Sequence, residues 1–273
     1  MKRNSNFIYL SAFLIMLIMG CGPKKEAEKE VNTSEEHPTA EVQSTPDEPG
    51  IYELRIYYAA EGKLDDLLAR FRNHTMALFE KHGLKNIGYW VPEENTDNAL
   101  IYMLGFPDRQ AADASWKAFI ADPDWNAAYE ASIVNGKLVD SIQNVFLQPT
   151  DYSPKLTLGD HGPRVFELRT YYTNEGKLGN LHNRFSDHTM EIFESHNMSN
   201  IAYFNLDRDQ DGNENTLLYF ITHADHATAD ANWKAFIEDP KWKVAYEASI
   251  VDGNLVNRLT SLYMQPTDFS PLK

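Results

Sequence analysis

Arginine, glutamate and aromatic side chains recur together at the start of two similar segments of this sequence. Arg55 follows Glu53 by two residues, and Arg169 follows Glu167 in the same way. Residues two apart on an extended strand share a face, so each arginine can pair with its glutamate. A guanidinium held in this way either completes a structural ion pair or orients an anionic or carbonyl ligand. The sequence is compatible with both roles.

Two histidines are the candidates for acid–base chemistry. His74 lies in the segment NHTM and His188 in DHTM, each at the edge of an apolar helical stripe. Imidazole titrates near neutral pH and can act as a general acid or base; a partly buried, hydrogen-bonded histidine is the alternative. His82 and His196 follow eight residues later. That spacing is about 12 Å along a helix, too far for two histidines to share one metal ion.

Alternating aspartates suggest one further ligand site. Asp207, Asp209 and Asp211 precede Gly212 in the pattern of a calcium-binding loop. The twelfth loop position is Leu218, however, where such a loop has a bidentate glutamate. Asp-Gly is also a frequent hairpin turn. We therefore predict a turn without bound metal, with calcium as the weaker alternative. No nucleophile elbow, phosphate loop or zinc spacing is found, and we predict no cofactor.

The sequence segments that carry these side chains occur twice. WKAFIADPDWNAAYEASIV begins at Trp116 and WKAFIEDPKWKVAYEASIV at Trp233, with fifteen of nineteen positions identical. IYELRIYYAAEGKL and VFELRTYYTNEGKL open the copies, and QPTDYSP and QPTDFSP close them. So long a period indicates duplicated domains and not a solenoid. We expect domains at 51–154 (repeat one) and 165–273 (repeat two), joined by a linker at 155–164.

Each repeat shows the order β-α-β-β-α-β, which predicts an α+β, ferredoxin-like domain with two helices on one face of an antiparallel sheet. On the first strand, Glu53, Arg55 and Tyr57 share a face. Because that face is not plainly polar, we expect the two sheets to pack against each other through it. The result would be an intramolecular dimeric α/β barrel with the helices outside. Two independent domains are the alternative.

Several of these segments resemble the NIPSNAP family. The resemblance rests on ELRTYY and EGKL near Glu167, a later aspartate, a tryptophan-bearing helix, DPxW and an aromatic-Ser-Pro ending. Both repeats carry these marks, so it covers most of the chain. It implies a dimeric α/β barrel and no settled activity; some members are linked to protein binding and to vesicle or mitochondrial roles. The wider superfamily includes cofactor-free oxygenases and haem-degrading enzymes, which is analogy of fold alone.

One departure from the family pattern concerns the second helix. Members often carry an arginine-rich helix after the aspartate, whereas here only Arg109 remains, with His226 at that place in repeat two. We expect no anion-binding role for this helix. Aromatic side chains are instead candidates to line an apolar pocket between helices and sheet, with core packing as the alternative. With Arg55 and Arg169, the candidate binding residues are Tyr57, Tyr89, Trp116, Tyr171, Tyr203 and Trp233.

The N-terminal residues predict localisation in the bacterial cell envelope. Lys2 and Arg3 precede the apolar run FIYLSAFLIMLIMG, and the chain's only cysteine, Cys21, follows directly. This pattern resembles a lipoprotein signal peptide over residues 1–20, which implies cleavage before Cys21 and a lipid on its sulfur. The acyl chains would anchor the protein to a membrane.

The segment after the cysteine is strongly acidic. Residues 22–50 contain eight acidic residues, three lysines and no aromatic residue, so residues 21–50 are predicted to be a disordered tether. Gly22 stands where some lipoproteins carry an aspartate that retains them at the inner membrane, and this favours the outer membrane.

These observations lead to two main functional hypotheses, beside a third in which the barrel is a structural protein that only presents surfaces. The formal net charge of −15 argues against a nucleic-acid-binding surface. The first hypothesis is a lipid-anchored, non-catalytic envelope protein that binds an unknown small molecule or protein. The alternative is a cofactor-independent monooxygenase or isomerase acting on an apolar substrate. In that enzyme His74 or His188 would be the acid or base, and Arg55 or Arg169 would orient the substrate.

Overall fold

The computed structural model describes residues 48–273, so Cys21 and the predicted signal peptide lie outside the described residues. Within 48–273, no helix combines the length and apolar character needed to cross a membrane. This segment contains all the strands and cores described below and forms one compact unit. It is therefore suited to study without the preceding residues.

The two repeats contain the same series of elements. Repeat one comprises β1 (Ile51–Ala59), α1 (Leu64–Arg70), a π-helical turn (Phe71–Thr75), α2 (Met76–Lys81), β2 (Lys85–Pro92), β3 (Ala99–Phe106), α3 (Arg109–Ile120), α4 (Pro123–Ser132) and β4 (Val139–Pro149). Repeat two comprises β5 (Val165–Thr173), α5 (Leu178–Arg184), a π-helical turn (Phe185–Thr189), α6 (Met190–Ser195), β6 (Ser199–Leu206), β7 (Thr216–His223), α7 (His226–Glu238), α8 (Pro240–Ser249) and β8 (Val256–Pro266).

The eight strands close into one antiparallel barrel in the order β1-β3-β2-β8-β5-β7-β6-β4. Each repeat contributes a four-stranded ferredoxin-like sheet. The sheets join at two seams, where β2 pairs with β8 and β4 pairs with β6. The predicted intramolecular α/β barrel is therefore confirmed. Full closure also removes the exposed strand edges that two separate sheets would have.

One face of β1 lines the inside of the barrel, and it is the face opposite to the one predicted from the sequence. Tyr52 and Leu54 lie in the core that both sheets share, together with Phe166 and Leu168 of β5. The prediction that the Tyr57 face lies between the sheets is wrong, because Tyr57 packs in the core between the sheet and the helices of repeat one. Strand alternation separates two sets of side chains but does not state which set is covered by helices.

The first helix of each repeat is interrupted by the π-helical turn. The Thr75 hydroxyl donates to the backbone carbonyl of Arg70 at 3.3 Å, and Thr189 donates to that of Arg184 at 3.0 Å. The separation of five residues is that of a π-helix, whose extra residue changes the phase of the following turn. Arg70, the last residue of α1, and Phe71, the first of the π-helical turn, are both buried.

The two repeats hold each other through equivalent contacts at the seams. Glu93 accepts hydrogen bonds from Gln265 at 2.8 Å and lies 2.6 Å from the Nδ1 atom of His226. At the matching place Asp207 accepts from Gln148 at 2.6 Å and lies 3.6 Å from Arg109. These contacts and the shared core exclude the alternative of two independent domains.

Candidate functional site

A cavity of about 430 Å³ lies between the sheet and the helices of repeat one; we call it the aromatic cavity. β1 and β4 form one wall, and the first helical segment, α3 and α4 contribute the rest. Its aromatic lining consists of Tyr57, Phe71, Phe79, Phe119, Trp125 and Tyr129. Arg70, Thr75, Asp140 and Ser141 supply polar atoms. An apolar space with few polar groups is the usual form of a small-molecule site.

Arg70 is the cation of the aromatic cavity. Its side chain stacks on Trp125 and Tyr129, with distances of 5.3 and 5.6 Å from the guanidinium carbon to the ring centres. Nη1 donates to the Ser132 hydroxyl at 3.2 Å, while Nε is buried without a partner among the described residues. Burial lowers the pKa of Arg70, and the groups that oppose this shift are tyrosines.

No carboxylate of residues 48–273 pairs with this guanidinium. A buried charge normally has a partner, because an unpaired one loses its hydration without compensation. An anion that entered the cavity would supply both the missing charge and an acceptor for Nε.

The predicted site residue Arg55 has a different environment. Its Nη1 donates to Glu53 at 2.5 Å, and the guanidinium stacks on Trp116 at 4.3 Å. Glu53 is 1% exposed and also accepts from Trp116 at 2.7 Å and Asn144 at 2.8 Å. The glutamate thus anchors α3 and β4 to β1. This arrangement favours the structural role that the sequence left open.

Repeat two builds the same anchor with one additional group. Glu167 accepts from Arg169, Trp233 and Ser261 at 2.5, 2.8 and 2.6 Å. His223, which replaces Phe106 of repeat one, adds a contact of 2.9 Å from Nε2. Burial opposes ionisation of Glu167. The hydrogen bonds and the charge of Arg169 nevertheless lower its pKa to about 2.

The other predicted residues fall into three groups. Tyr57 lines the aromatic cavity, and Tyr171 occupies the matching position in repeat two. Tyr89 and Tyr203 are fully buried and stack on tyrosines of β3 and β7. His74 and His188 are exposed on the π-helical turns. The structure does not bring either histidine to the arginine with which the enzyme hypothesis paired it.

The aspartates considered for calcium binding lie in the turn between β6 and β7. Asp207 is buried and bound by Gln148, and Asp209 lies 3.4 Å from Arg109. Asp207 also lies 3.6 Å from Arg109, so two of the three carboxylates face the guanidinium of that residue. Among residues 48–273, no group of three histidine, cysteine or acidic side chains is arranged to hold a metal ion.

Sequence reasoning did not select Arg70 or its counterpart Arg184. Both lie inside an apolar helical stripe and are followed by phenylalanine, in ARFRNHTM and NRFSDHTM. An arginine retained by both repeats within a buried stripe was the available signal. This arginine matters because no carboxylate of residues 48–273 pairs with it, and that absence cannot be recognised in the linear sequence.

Comparison with known proteins agrees with this architecture. The sequence profile of the NIPSNAP family matches residues 52–154 and 166–271. A NIPSNAP family protein from Agrobacterium tumefaciens is 29% identical and covers 38% of this chain and 96% of its own, with a TM-score of 0.35. No curated protein matches the sequence.

Two solved structures resemble the whole barrel. A proposed monooxygenase from Lactobacillus acidophilus has a TM-score of 0.50 and 14% identity, over 80% of this chain and 94% of that one. A second proposed monooxygenase, from Fusobacterium nucleatum, has a TM-score of 0.54 and 10% identity, over 83% and 99%. At these identities the likeness concerns the fold alone.

Proposed function

This chain belongs to the NIPSNAP family, and from that premise we propose that it is a lipid-anchored envelope protein that binds an aromatic anion without transforming it. The single observation that supports the ligand class is Arg70, a buried guanidinium that lies beside six aromatic side chains and pairs with no carboxylate of the described residues. The rings match a planar apolar body, and the guanidinium matches a carboxylate, sulfonate or phenolate.

The character of the lining supports binding over proton transfer. Arg70 stays protonated at neutral pH even when burial disfavours its charge. Asp140, the carboxylate of the lining, lies 2.7 Å from the Lys137 ammonium, which offsets its charge. His74, the predicted acid–base group of this repeat, is not among the lining residues. The polar groups at the cavity are thus suited to orienting a ligand.

The proposed localisation in the cell envelope rests on the amino-acid sequence. The positive residues, the apolar run and Cys21 occur in the order of a lipoprotein signal. A lipid at Cys21 followed by an acidic tether would place the barrel near a membrane surface, with the outer membrane as the expected one. The proposed ligand is then one encountered in the envelope.

A second candidate function is a cofactor-independent monooxygenase. It is favoured by the shared fold of the two proposed monooxygenases and by an apolar cavity large enough for a polycyclic substrate. Anthrone is a suitable substrate probe, since an anthrone oxidase-like protein shares the fold with a TM-score of 0.53. Our proposal expects no oxygen uptake above buffer when residues 48–273 are mixed with anthrone. Steady uptake that Tyr57→Phe or Arg70→Met abolishes would establish the enzyme instead.

Two fluorescent probes test the binding proposal. 1-Anilinonaphthalene-8-sulfonate carries an anion on aromatic rings, and N-phenyl-1-naphthylamine has the same rings without charge. We expect Arg70→Met to weaken sulfonate binding about tenfold or more, because a charge-assisted hydrogen bond contributes about 1.5–3 kcal/mol. Binding of the neutral probe should change little.

The matched control is Arg72→Met, an exposed arginine two residues further along the same segment. It should leave the affinities for both probes unchanged. Equal weakening of both probes by Arg70→Met would indicate a collapsed cavity, and unchanged sulfonate binding would refute the role of the guanidinium. Thermal melting of each variant separates these outcomes from unfolding.

A further inference from the structure

Repeat two contains a second cavity, of about 310 Å³, which we call the helix cleft. It lies between α5 with its π-helical turn on one side and α8 with the following turn on the other. Ala245 and Ala248 line it, and their short side chains leave space between the helices. No strand residue contributes, so the helix cleft differs in position from the aromatic cavity of repeat one.

Arg184 supplies the positive charge of the helix cleft. It is 6% exposed, stacks on Trp242 at 5.1 Å and donates to the Ser249 hydroxyl at 3.2 Å. Burial lowers the pKa of Arg184, and its Nε has no partner among residues 48–273. As at Arg70, no carboxylate of those residues pairs with the guanidinium. A ligand carboxylate would complete it.

The remaining polar side chains of the helix cleft are exposed to solvent and accessible to a ligand. Within the described part of the chain, the side chains of Asn180, Asn183, His188 and Asp252 make no hydrogen bond or ion pair with protein. Asp187 accepts only from the neighbouring Ser186 hydroxyl, at 2.9 Å. One guanidinium and two carboxylates thus line the same space. A ligand that carries both charges would match them better than a simple anion or cation.

These carboxylates are specific to repeat two. Alignment of the repeats places Asp187 opposite Asn73, Asp252 opposite Asn135 and Asn183 opposite Ala69. The arginine and the serine that it contacts are present in both repeats. Repeat two therefore carries acidic and amide groups that repeat one lacks at these three places, around an arginine that the repeats share.

We infer that the helix cleft binds a small zwitterion of the amino-acid class. Its carboxylate pairs with Arg184, and its ammonium lies among the carboxylates of Asp187 and Asp252. Asn183 and His188 supply further hydrogen-bonding groups. This inference is independent of the aromatic anion proposed for repeat one, since the two cavities have different walls and different residues.

Three related probes test the inference on residues 48–273. L-Serine carries both charges, L-glycerate has a hydroxyl in place of the ammonium at the same configuration, and ethanolamine lacks the carboxylate. We expect L-serine to shift the amide NMR signals of α5 and α8 residues around the helix cleft and to bind at least several-fold more tightly than either analogue. If glycerate binds as tightly as L-serine, the inference is wrong and the helix cleft is an anion site. If ethanolamine binds as tightly as L-serine, the inference is wrong and the helix cleft is a cation site.

Substitutions that copy residues of repeat one separate a loss of binding from a loss of folding, because the same residues are accommodated in the other repeat. Asp252→Asn and Asn183→Ala introduce residues that repeat one has at the same places. Asp252→Asn should weaken L-serine about fivefold, the upper effect of an exposed ion pair. Asn135→Asp, the reverse exchange in repeat one, should leave serine binding unchanged. Undiminished binding in both repeat-two variants, or no serine-dependent shift in the original protein, would overturn the site.

Discussion

The Ser270 hydroxyl, near the end of repeat two, accepts a hydrogen bond from the backbone N–H of Tyr89 in repeat one at 2.9 Å. Ser153 of repeat one accepts from the backbone N–H of Tyr203 in repeat two at the same distance. The aromatic residue before each serine packs against the same tyrosine. The Ser-Pro ending that closes each repeat therefore fastens it to the other repeat.

Replacing Ser270 should destabilise the barrel more than replacing Ser153. Ser270 is 3% exposed and also donates to the Leu272 carbonyl at 2.7 Å, so Ser270→Ala leaves two groups unpaired. We expect a loss of about 2 kcal/mol in the free energy of unfolding for Ser270→Ala and about 1 kcal/mol for the more exposed Ser153→Ala. Urea denaturation measures both. An equal loss for the two variants, or the reverse order, would contradict the argument from burial and unpaired groups.

The free energy of unfolding should fall at acidic pH as Glu167 becomes protonated. Its pKa of about 2 in the folded protein lies below the value of 4.5 for an unperturbed glutamate. Glu167 therefore contributes stability above pH 4.5, and that contribution is lost as the pH falls towards 2. Between pH 5 and pH 2, the original protein should lose on the order of 3 kcal/mol more free energy of unfolding than Glu167→Gln does.

The exposed Glu175 provides the control for this pH series. Glu175→Gln should show the same acid dependence as the original protein, because this residue has no buried network to lose. If Glu167→Gln also follows the original curve, the carboxylate is not ionised within its cluster.

The aromatic cavity should accept anions better when Asp140 is neutral. Its carboxylate lines the cavity and is offset in part by Lys137. Asp140→Asn, which copies Asn257 of repeat two, should raise affinity for the naphthalene sulfonate about two- to fivefold at low salt. The uncharged naphthylamine should bind as before. The gain should shrink in 0.5 M salt, since added ions screen such interactions, and a salt-independent gain would argue for a steric effect.

Membrane attachment should depend on Cys21. Full-length protein expressed in a Gram-negative host should sediment with membranes and incorporate radiolabelled palmitate. Cys21→Ser should abolish the label, because no other cysteine is present to receive a lipid. Lys24→Ser, in the adjacent tether, is the control and should remain labelled. Labelled Cys21→Ser protein would disprove the proposed site of attachment.

The duplication and the order of secondary-structure elements were predictable from the amino-acid sequence. Near-identity after Trp116 and Trp233 shows two related domains, and the periodicity within each predicts a ferredoxin-like sheet with helices on one face. The spacing of Arg55 from Glu53 also identified their pair correctly. These features are local, since each depends on residues a few positions apart or on comparison of one repeat with the other.

Two features became clear only from the folded chain, namely which strand face lies inside the barrel and which buried arginines lack an ion-pair partner among residues 48–273. Tyr57 faces the helices because closure of the barrel encloses the other side of β1, and alternation is the same in either case. Arg70 and Arg184 are candidate site residues because no carboxylate of residues 48–273 forms an ion pair with either guanidinium. A missing partner depends on every segment that folds around a residue, so no local pattern can reveal it.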